Sequence, residues 1–132
     1  MRRAMLMCAF VVPAILLIAG VAYARTIDCN GDDCTGTNDA DTMNGSPQDD
    51  RMLALEGADT LYGVGGTDAL KGGDGKDRVD GGEGDDIVRG GTHSEPNDHA
   101  RDTLICGPGR DKVFFVRGQD VLKGCEIKRP SR

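Results

Sequence analysis

An aspartate recurs every nine residues through the centre of this chain, and an apolar residue follows each aspartate two positions later. The period is clearest in residues 72–89, where GGDGKDRVD is followed directly by GGEGDDIVR. The unbroken run of aspartates is Asp32, Asp41, Asp50, Asp59, Asp68, Asp77 and Asp86. The apolar residues two positions on are Cys34, Met43, Met52, Leu61, Leu70, Val79 and Val88. A flexible acidic linker has no reason to hold this offset, so the pattern favours a regularly wound chain over a disordered one.

Each residue type in the repeat has a chemical reason to be there. Glycines adopt positive φ and let backbone carbonyls turn towards a common point. The aspartate supplies a hard anionic oxygen, and the apolar residue is the inward side chain of a three-residue strand, because strand side chains alternate. Calcium takes roughly six to eight oxygen ligands, more than one short loop can offer. Two stacked loops could supply them.

The pattern Gly-Gly-x-Gly-x-Asp-x-U-x, with U a large apolar residue, resembles the calcium-binding nonapeptide repeat of RTX, or haemolysin-type, proteins. The resemblance covers roughly residues 32–124 and is strict only in the middle. It implies an all-β fold, a parallel β-roll (β-solenoid) of nonapeptide half-turns with two facing sheets of short strands. It also implies that successive repeats alternate between the sheets and that Ca²⁺ lies between one loop and the next but one.

This stacking sorts the aspartates into two columns, one holding Asp68 and Asp86 and the other Asp59 and Asp77. These four are the expected calcium ligands, with carbonyl groups of the best glycine loops completing the shells. The glycines concerned are Gly63, Gly65, Gly66, Gly72, Gly73, Gly75, Gly81, Gly82 and Gly84. Carboxylates stacked one strand spacing apart, roughly 4.8 Å, repel each other, so each column should oppose folding until a cation binds. The outer repeats lack these glycines and are expected to lose the tightest turn.

Residues 1–24 are predicted to be a secretory signal peptide, with Arg2 and Arg3 before an apolar stretch and Ala22-Tyr23-Ala24 as the cleavage site. An uncleaved anchor is the alternative, but Pro13 interrupts a stretch that barely reaches the roughly 18 residues of a span. Cleavage leaves 14 basic and 22 acidic side chains. An acidic secreted chain with no membrane span favours cations, and not nucleic acid, as partners.

Four cysteines remain after cleavage, an even number that indicates disulfides in an exported protein and allows three pairings. In the stacking that the resemblance implies, Cys106 and Cys125 lie on neighbouring rungs, so we expect a Cys106–Cys125 bridge and a local Cys29–Cys34 bridge. The disulfides would staple the two ends of the roll. Zinc is not favoured, because no CxxC pair is present.

The expected organisation has six parts. They are a signal peptide (1–24), an N-terminal cap (25–35), calcium-binding repeats (36–91), an insertion loop (92–100), C-terminal repeats with a disulfide cap (101–126) and a basic tail (127–132). Residues 106–126 resemble the C-terminal unit of small secreted bacterial proteins of this class. Phe115 and Val116 replace two glycines there, so this loop is expected to cover the core, with Asp120 as a turn residue. His93 and His99 in the insertion could bind a transition metal, but a polar surface loop is favoured.

The sequence carries no Gly-x-Ser-x-Gly elbow, His-Glu-x-x-His pair or Walker loop, so we predict a protein that is not an enzyme. The predicted function is calcium binding, with folding coupled to extracellular calcium. Two alternatives remain: a surface-associated interaction module in which calcium is purely structural, and an accessory fragment of a toxin or hydrolase system. The sequence names no protein partner.

Overall fold

The chain folds into a parallel β-roll in a computed structural model that describes residues 24–91, 100–116 and 119–126. Eleven strands form within these ranges. They are β1 (Arg25–Asp28), β2 (Asp33–Thr35), β3 (Asp41–Asn44), β4 (Arg51–Glu56), β5 (Thr60–Tyr62), β6 (Ala69–Asp74), β7 (Arg78–Asp80), β8 (Ile87–Arg89), β9 (Thr103–Ile105), β10 (Lys112–Phe114) and β11 (Val121–Lys123). Two loop rows connect them, one on each side of the roll.

The odd-numbered strands form one sheet, and the even-numbered strands form the other. One sheet has the order β1-β3-β5-β7-β9-β11 and the other β10-β8-β6-β4-β2, with every neighbouring pair parallel. Met52 pairs with Leu70, and Met43 pairs with Leu61, in each case 18 residues apart. A strand therefore pairs with the one two nonapeptides later, which confirms the predicted half-turn winding.

The core is a column of single side chains, one from the middle of each strand. Those that are at most 1 % exposed are Met43, Met52, Leu61, Leu70, Val79, Val88 and Leu104. Because the strands are three to six residues long, the flanking side chains point outward, and the apolar plug of each repeat is the part that holds the two sheets together. A chain with no tryptophan and 4 % aromatic residues can build this core because it needs only one plug per strand.

The two expected disulfides are present, and they lie near the two ends of the roll. Cys29 and Cys34 have Cα atoms 6.0 Å apart, and Cys106 and Cys125 have Cα atoms 5.0 Å apart. Cys106 is fully buried at the end of the core. Phe115 also packs against the core cluster, in the place where the sequence predicted a covering loop.

Three predictions fall wholly or mainly outside the described residues. These are the signal peptide (1–24, of which only Ala24 is described), the histidines of the insertion (His93 and His99) and the basic tail (127–132). Within the described ranges, no helix has the length and apolar character that a membrane crossing requires.

Candidate metal centre

The loops on one side of the roll stack their aspartates into a hydrogen-bonded ladder. The backbone N–H of Asp50 donates to Oδ1 of Asp68 at 2.8 Å, Asp68 donates to Asp86 at 2.8 Å, and Asp86 donates to Asp111 at 3.0 Å. Asp32, the first aspartate of the sequence run, does not join: it is exposed, and Gly31 donates to Asp50 instead. The pairing predicted for Asp68 and Asp86 is therefore present as a direct stack.

The loops on the other side form the same ladder. Asp41 donates to Oδ1 of Asp59 at 2.7 Å, Asp59 to Asp77 at 2.9 Å, Asp77 to Asp102 at 2.9 Å and Asp102 to Asp120 at 3.2 Å. Asp77 and Asp102 are 25 residues apart in the chain, so the column is continuous between the repeats on either side of the insertion. Asp59 and Asp77 are stacked neighbours, as predicted.

At the N-terminal end of both columns, the second carboxylate oxygen is satisfied within its own loop. Oδ2 of Asp41 accepts hydrogen bonds from the N–H of Thr37 at 2.6 Å and from its hydroxyl at 2.9 Å. Ser46 makes the same pair of bonds to Oδ2 of Asp50, at 2.6 and 3.0 Å. The C-terminal loop does the same with backbone alone, since Val116 N–H donates to Oδ2 of Asp120 at 2.6 Å.

In the central loops the second oxygen is buried and has no such donor. Oδ2 of Asp59, Asp68 and Asp86 has no hydrogen-bond partner in the described part of the chain. A buried carboxylate oxygen without a partner is unfavourable by roughly 1–3 kcal/mol or more, because it has lost its hydration. Three of the four predicted ligands, Asp59, Asp68 and Asp86, thus have a buried carboxylate oxygen without a hydrogen bond, which a cation could contact.

Glycine at the first loop position makes room for this oxygen. A Cβ at Gly81 would lie 2.6 Å from Oδ2 of Asp86 and 2.8 Å from the carbonyl oxygen of Cys106 on the next loop. A Cβ at Gly63 would collide with Oδ2 of Asp68 and the carbonyl oxygen of Gly81. A carboxylate oxygen and a backbone carbonyl oxygen from adjacent loops therefore share each of these spaces. That donor set is the one calcium prefers.

Other predicted glycines turn the loops tightly enough to stack. The positive φ values belong to Gly66 (102°), Gly73 (125°), Gly75 (123°), Gly82 (94°) and Gly84 (127°). A Cβ at Gly75 would meet the carbonyl of Gly57 below it. Gly65 differs, since it forms a bridge to Glu83 and has room for a Cβ, so its loop position does not require glycine.

Two loops that lack a glycine at the second position keep the tight turn, which the sequence pattern did not predict. Leu55 and Val64, at the second loop position, adopt the left-handed conformation with φ of 85° and 80°. The turn is therefore retained in the loop that contains Leu55, where its loss was expected. The hydroxyl groups of Thr37 and Ser46 were also missed, although their spacing, four residues before an aspartate, is visible in the sequence.

Burial sets the charge behaviour of the central carboxyl groups. Desolvation raises the pKa of Asp68 to about 6; the N–H of Asp50 partly offsets this, and the carboxylates of Asp86, Asp50 and Asp49 add to the rise. The pKa values of Asp59 and Asp86 are raised too, first by desolvation and then by neighbouring carboxylates, against the lowering effect of a backbone hydrogen bond. A bound cation would offset both the desolvation of these carboxylates and the repulsion between them.

Side chains alone do not make a metal centre here. No group of three or more His, Cys, Asp or Glu residues is positioned to hold a metal ion within the ranges that the structure describes. A site at these loops therefore depends on backbone carbonyl oxygens, which suit calcium and not zinc.

Comparison with known proteins agrees with this geometry. Residues 35–70 and 62–92 match the family model of the RTX calcium-binding nonapeptide repeat, with four copies. No curated protein matches the chain, and no solved structure matches it. Residues 35–92 thus carry RTX calcium-binding nonapeptide repeats, and the described part of this segment forms the centre of the β-roll.

Proposed function

We propose that this chain is a secreted, non-catalytic calcium-binding protein whose folding is coupled to extracellular calcium. The observation that carries the proposal is the difference between the loops. Near the ends of the roll, hydroxyl or backbone N–H groups satisfy the second aspartate oxygen, whereas in the central loops Oδ2 of Asp59, Asp68 and Asp86 is buried without a hydrogen bond. At these central positions a cation would take the place of the missing donor to Oδ2.

The same four aspartates that the sequence indicated would hold the ions. Asp68 and Asp86 would contribute on one side of the roll, and Asp59 and Asp77 on the other. Carbonyl oxygens of the loops 63–66, 72–75 and 81–84 would complete the shells. The bound ion would supply positive charge between stacked carboxylates, replacing the hydration that burial removes.

Coupling to folding follows from where the ligands lie. The stacked loops exist only in the folded roll, so calcium binds the folded state and not the unfolded chain, and each site adds stability as RT ln(1 + [L]/Kd). The stabilising contributions of several sites along one solenoid add up, so the folded fraction responds steeply to the calcium concentration. Extracellular calcium modules have Kd values of roughly 10⁻⁴ to 10⁻³ M, so the chain would fold where calcium is abundant.

Export is supported by two features of the chain. The first is the predicted signal segment, and the second is the pair of disulfides, which form in oxidising compartments. An exported chain that stays open until it meets extracellular calcium would reach its destination in a transportable form.

The test is far-UV circular dichroism of the disulfide-intact chain in EDTA and during titration with calcium. The chain should be largely unfolded in EDTA and recover β signal cooperatively in the millimolar range. Magnesium should substitute poorly, because it requires near-octahedral geometry and loses water reluctantly. A spectrum that calcium leaves unchanged would contradict the coupling.

A matched pair of variants separates ligands from structural carboxylates. Asp68→Asn should weaken calcium binding at least about tenfold, since even supporting partners are worth that much to a metal site. Asp50→Asn should affect calcium affinity far less and instead lower stability in saturating calcium. The reason is that both Asp50 oxygens accept hydrogen bonds, from Gly31 and Ser46. Equal losses of calcium affinity, measured by calorimetry, would refute this division of roles.

A further inference from the structure

The loop of residues 106–111, CGPGRD, differs in its first residue from the two loops before it in the same column. Those two loops begin with glycine, and this one begins with Cys106. Its other glycines are kept: Gly107 and Gly109 have φ of 85° and 149°, and a Cβ at either would meet the backbone of the loop below. The cysteine therefore lies in a loop that otherwise stacks as the central loops do.

The carbonyl group of Cys106 borders the open oxygen of Asp86. The position that a Cβ would take at Gly81 lies 2.6 Å from Oδ2 of Asp86 and 2.8 Å from the carbonyl oxygen of Cys106. Asp86 is 1 % exposed, and its Oδ2 has no hydrogen-bond partner among the residues that the structure describes. Carboxylate and carbonyl oxygens are both ligands that calcium prefers. One of the two oxygens at this space thus belongs to a disulfide-bonded residue.

The equivalent space one rung inward is held by stacked loops on both sides. There the carbonyl oxygen belongs to Gly81 and the carboxylate to Asp68, and a Cβ at Gly63 would meet both. The loop of Gly81 has a hydrogen-bonded loop on either side, since its aspartate accepts the N–H of Asp68 and donates its own N–H to Asp111. The carbonyl oxygen of Gly81 is thus kept in position without a covalent link.

The loop of Cys106 lies at the end of the column, and the disulfide ties it to the rung beyond. β10, which follows this loop, is the last strand of its sheet in the described part of the chain. The bridge joins Cys106 to Cys125 with Cα atoms 5.0 Å apart, and the N–H of Cys106 donates to the carbonyl oxygen of Lys123 at 3.1 Å. The bridge is therefore the covalent restraint on the residue whose carbonyl oxygen borders Asp86.

We infer that the Cys106–Cys125 disulfide controls the calcium affinity of the site at Asp86, an inference that rests on the proposed function. In the oxidised chain the bridge positions the carbonyl oxygen of Cys106 beside Oδ2 of Asp86. Reduction breaks the S–S bond, and a dithiol supplies the two electrons and two protons that give two thiols while it becomes a disulfide itself. The carbonyl group then loses its restraint, and the site binds calcium more weakly. By linkage, bound calcium makes the bridge harder to reduce by the same factor.

The consequence is that the roll responds to two conditions together. In a reducing compartment the cysteines are thiols, and the site at Asp86 lacks its covalent restraint. In an oxidising compartment the bridge forms and the site is complete. Calcium and oxidation each favour the state that the other favours, so an exported chain closes most readily where both are present.

The test removes each disulfide in turn from the full chain and measures calcium binding by calorimetry. Cys106→Ala/Cys125→Ala, which deletes the C-terminal bridge, should weaken the site at Asp86 about tenfold, the usual effect of losing a group that holds a metal ligand in place. Cys29→Ala/Cys34→Ala, which deletes the N-terminal bridge, is the matched control. That bridge lies near the other end of the roll, among loops whose aspartate oxygens already accept hydrogen bonds.

A double-mutant cycle separates this effect from the general stability that a disulfide adds. Either bridge restricts the unfolded chain, so either deletion lowers calcium affinity to some extent through folding alone. The loss caused by deleting the C-terminal bridge should be about tenfold smaller in an Asp86→Asn background, which has lost the site, than in an Asp68→Asn background, which keeps it. Deleting the N-terminal bridge should cause the same loss in both backgrounds. Equal losses for the C-terminal bridge would overturn the inference.

A second measurement needs no cysteine variant and so holds even where a bridge-free chain does not fold. The reduction potential of the C-terminal bridge is measured in excess calcium with dithiothreitol redox buffers, and alkylation followed by peptide mass distinguishes the two bridges. A tenfold linkage corresponds to about 30 mV for a two-electron couple. The potential should therefore be about 30 mV more negative in Asp68→Asn than in Asp86→Asn, and equal potentials would contradict the linkage.

Failure of this inference differs from failure of the proposed function. If calcium neither binds the wild-type chain nor changes its spectrum, the proposed function is refuted and this inference with it. If calcium folds the chain but the two aspartate backgrounds respond alike, calcium-coupled folding stands and the disulfide is a structural staple only.

Discussion

At the scale of single residues, the two oxygens of each central aspartate have different roles. Oδ1 of Asp68 accepts the N–H of Asp50 and so links one rung to the next, whereas Oδ2 faces a space kept open by Gly63. In the outer loops a threonine or serine hydroxyl fills that second role. The second residue of a loop therefore divides structural rungs, where its N–H donates to Oδ2 of the aspartate, from candidate calcium rungs, where it has positive φ.

Backbone strain at one residue gives a prediction. Val64 is half exposed and has φ of 80°, a conformation that is unfavourable for a β-branched residue by roughly 1–3 kcal/mol. Val64→Gly should relieve this strain, raise the free energy of unfolding in saturating calcium by about 1 kcal/mol, measured by urea unfolding, and bind calcium no more weakly. The matched control is Val121→Gly, an exposed valine in a strand, which should lower the midpoint because glycine weakens strands. A loss of stability in Val64→Gly would contradict the strain argument.

At the scale of the strand, the position of a residue in a three-residue strand decides whether its side chain points into the core or outward. In β8 the middle residue is fully buried in the core column, and its two neighbours lie on the outer face. This alternation lets β8 contribute Val88 to the core and Arg89 to the outer surface. Core and surface can therefore change independently along the repeat.

The strand scale gives a second prediction, with a control on the neighbouring strand of the same sheet. Leu70→Ala removes a plug that is 1 % exposed and should destabilise the calcium-bound roll by about 2–5 kcal/mol, since the rigid sheets leave a cavity. Leu53→Ala, the same change on the outward side of β4, should cost less than about 1 kcal/mol. Urea unfolding in saturating calcium measures both, and similar losses would show that the outer face is packed against something.

At the scale of the whole molecule, the roll is a one-dimensional stack in which each rung contacts its neighbours above and below. Its ends are closed by the disulfides Cys29–Cys34 and Cys106–Cys125 and by loops whose aspartates are internally hydrogen-bonded. The centre is where carboxyl groups in both columns are desolvated and repel each other. A metal-free roll is thus weakest in the middle.

This distribution predicts an unusual pH dependence for the metal-free chain. Because the folded-state pKa of Asp68 is raised from 3.8 to about 6, folding is favoured when the group is protonated. That stability is complete below pH 3.8 and is lost as the pH rises through 6. The raised pKa values of Asp59 and Asp86 act in the same direction. In EDTA, β signal should therefore increase as the pH is lowered from 7 to 5.

The control for this pH effect is Asp68→Asn, which should flatten the dependence and raise the β signal in EDTA at pH 7. In calcium the trend should reverse, since protons compete with the ion for the same oxygens. A wild-type β signal in EDTA that rises with pH would contradict this account.

The nine-residue period by itself determined that the chain is regularly wound, because an aspartate and an apolar residue at a constant offset put every plug inside. The two sheets, the two columns and the Cys106–Cys125 bridge were predicted from the resemblance of this repeat to the RTX nonapeptide. Only the tertiary structure decided which aspartate oxygens stay open, because that depends on donors such as Ser46 and on the stacking distance between loops. It also decided that Leu55 and Val64 keep the turn, because contacts from the rungs on either side outweigh a residue's own backbone preference.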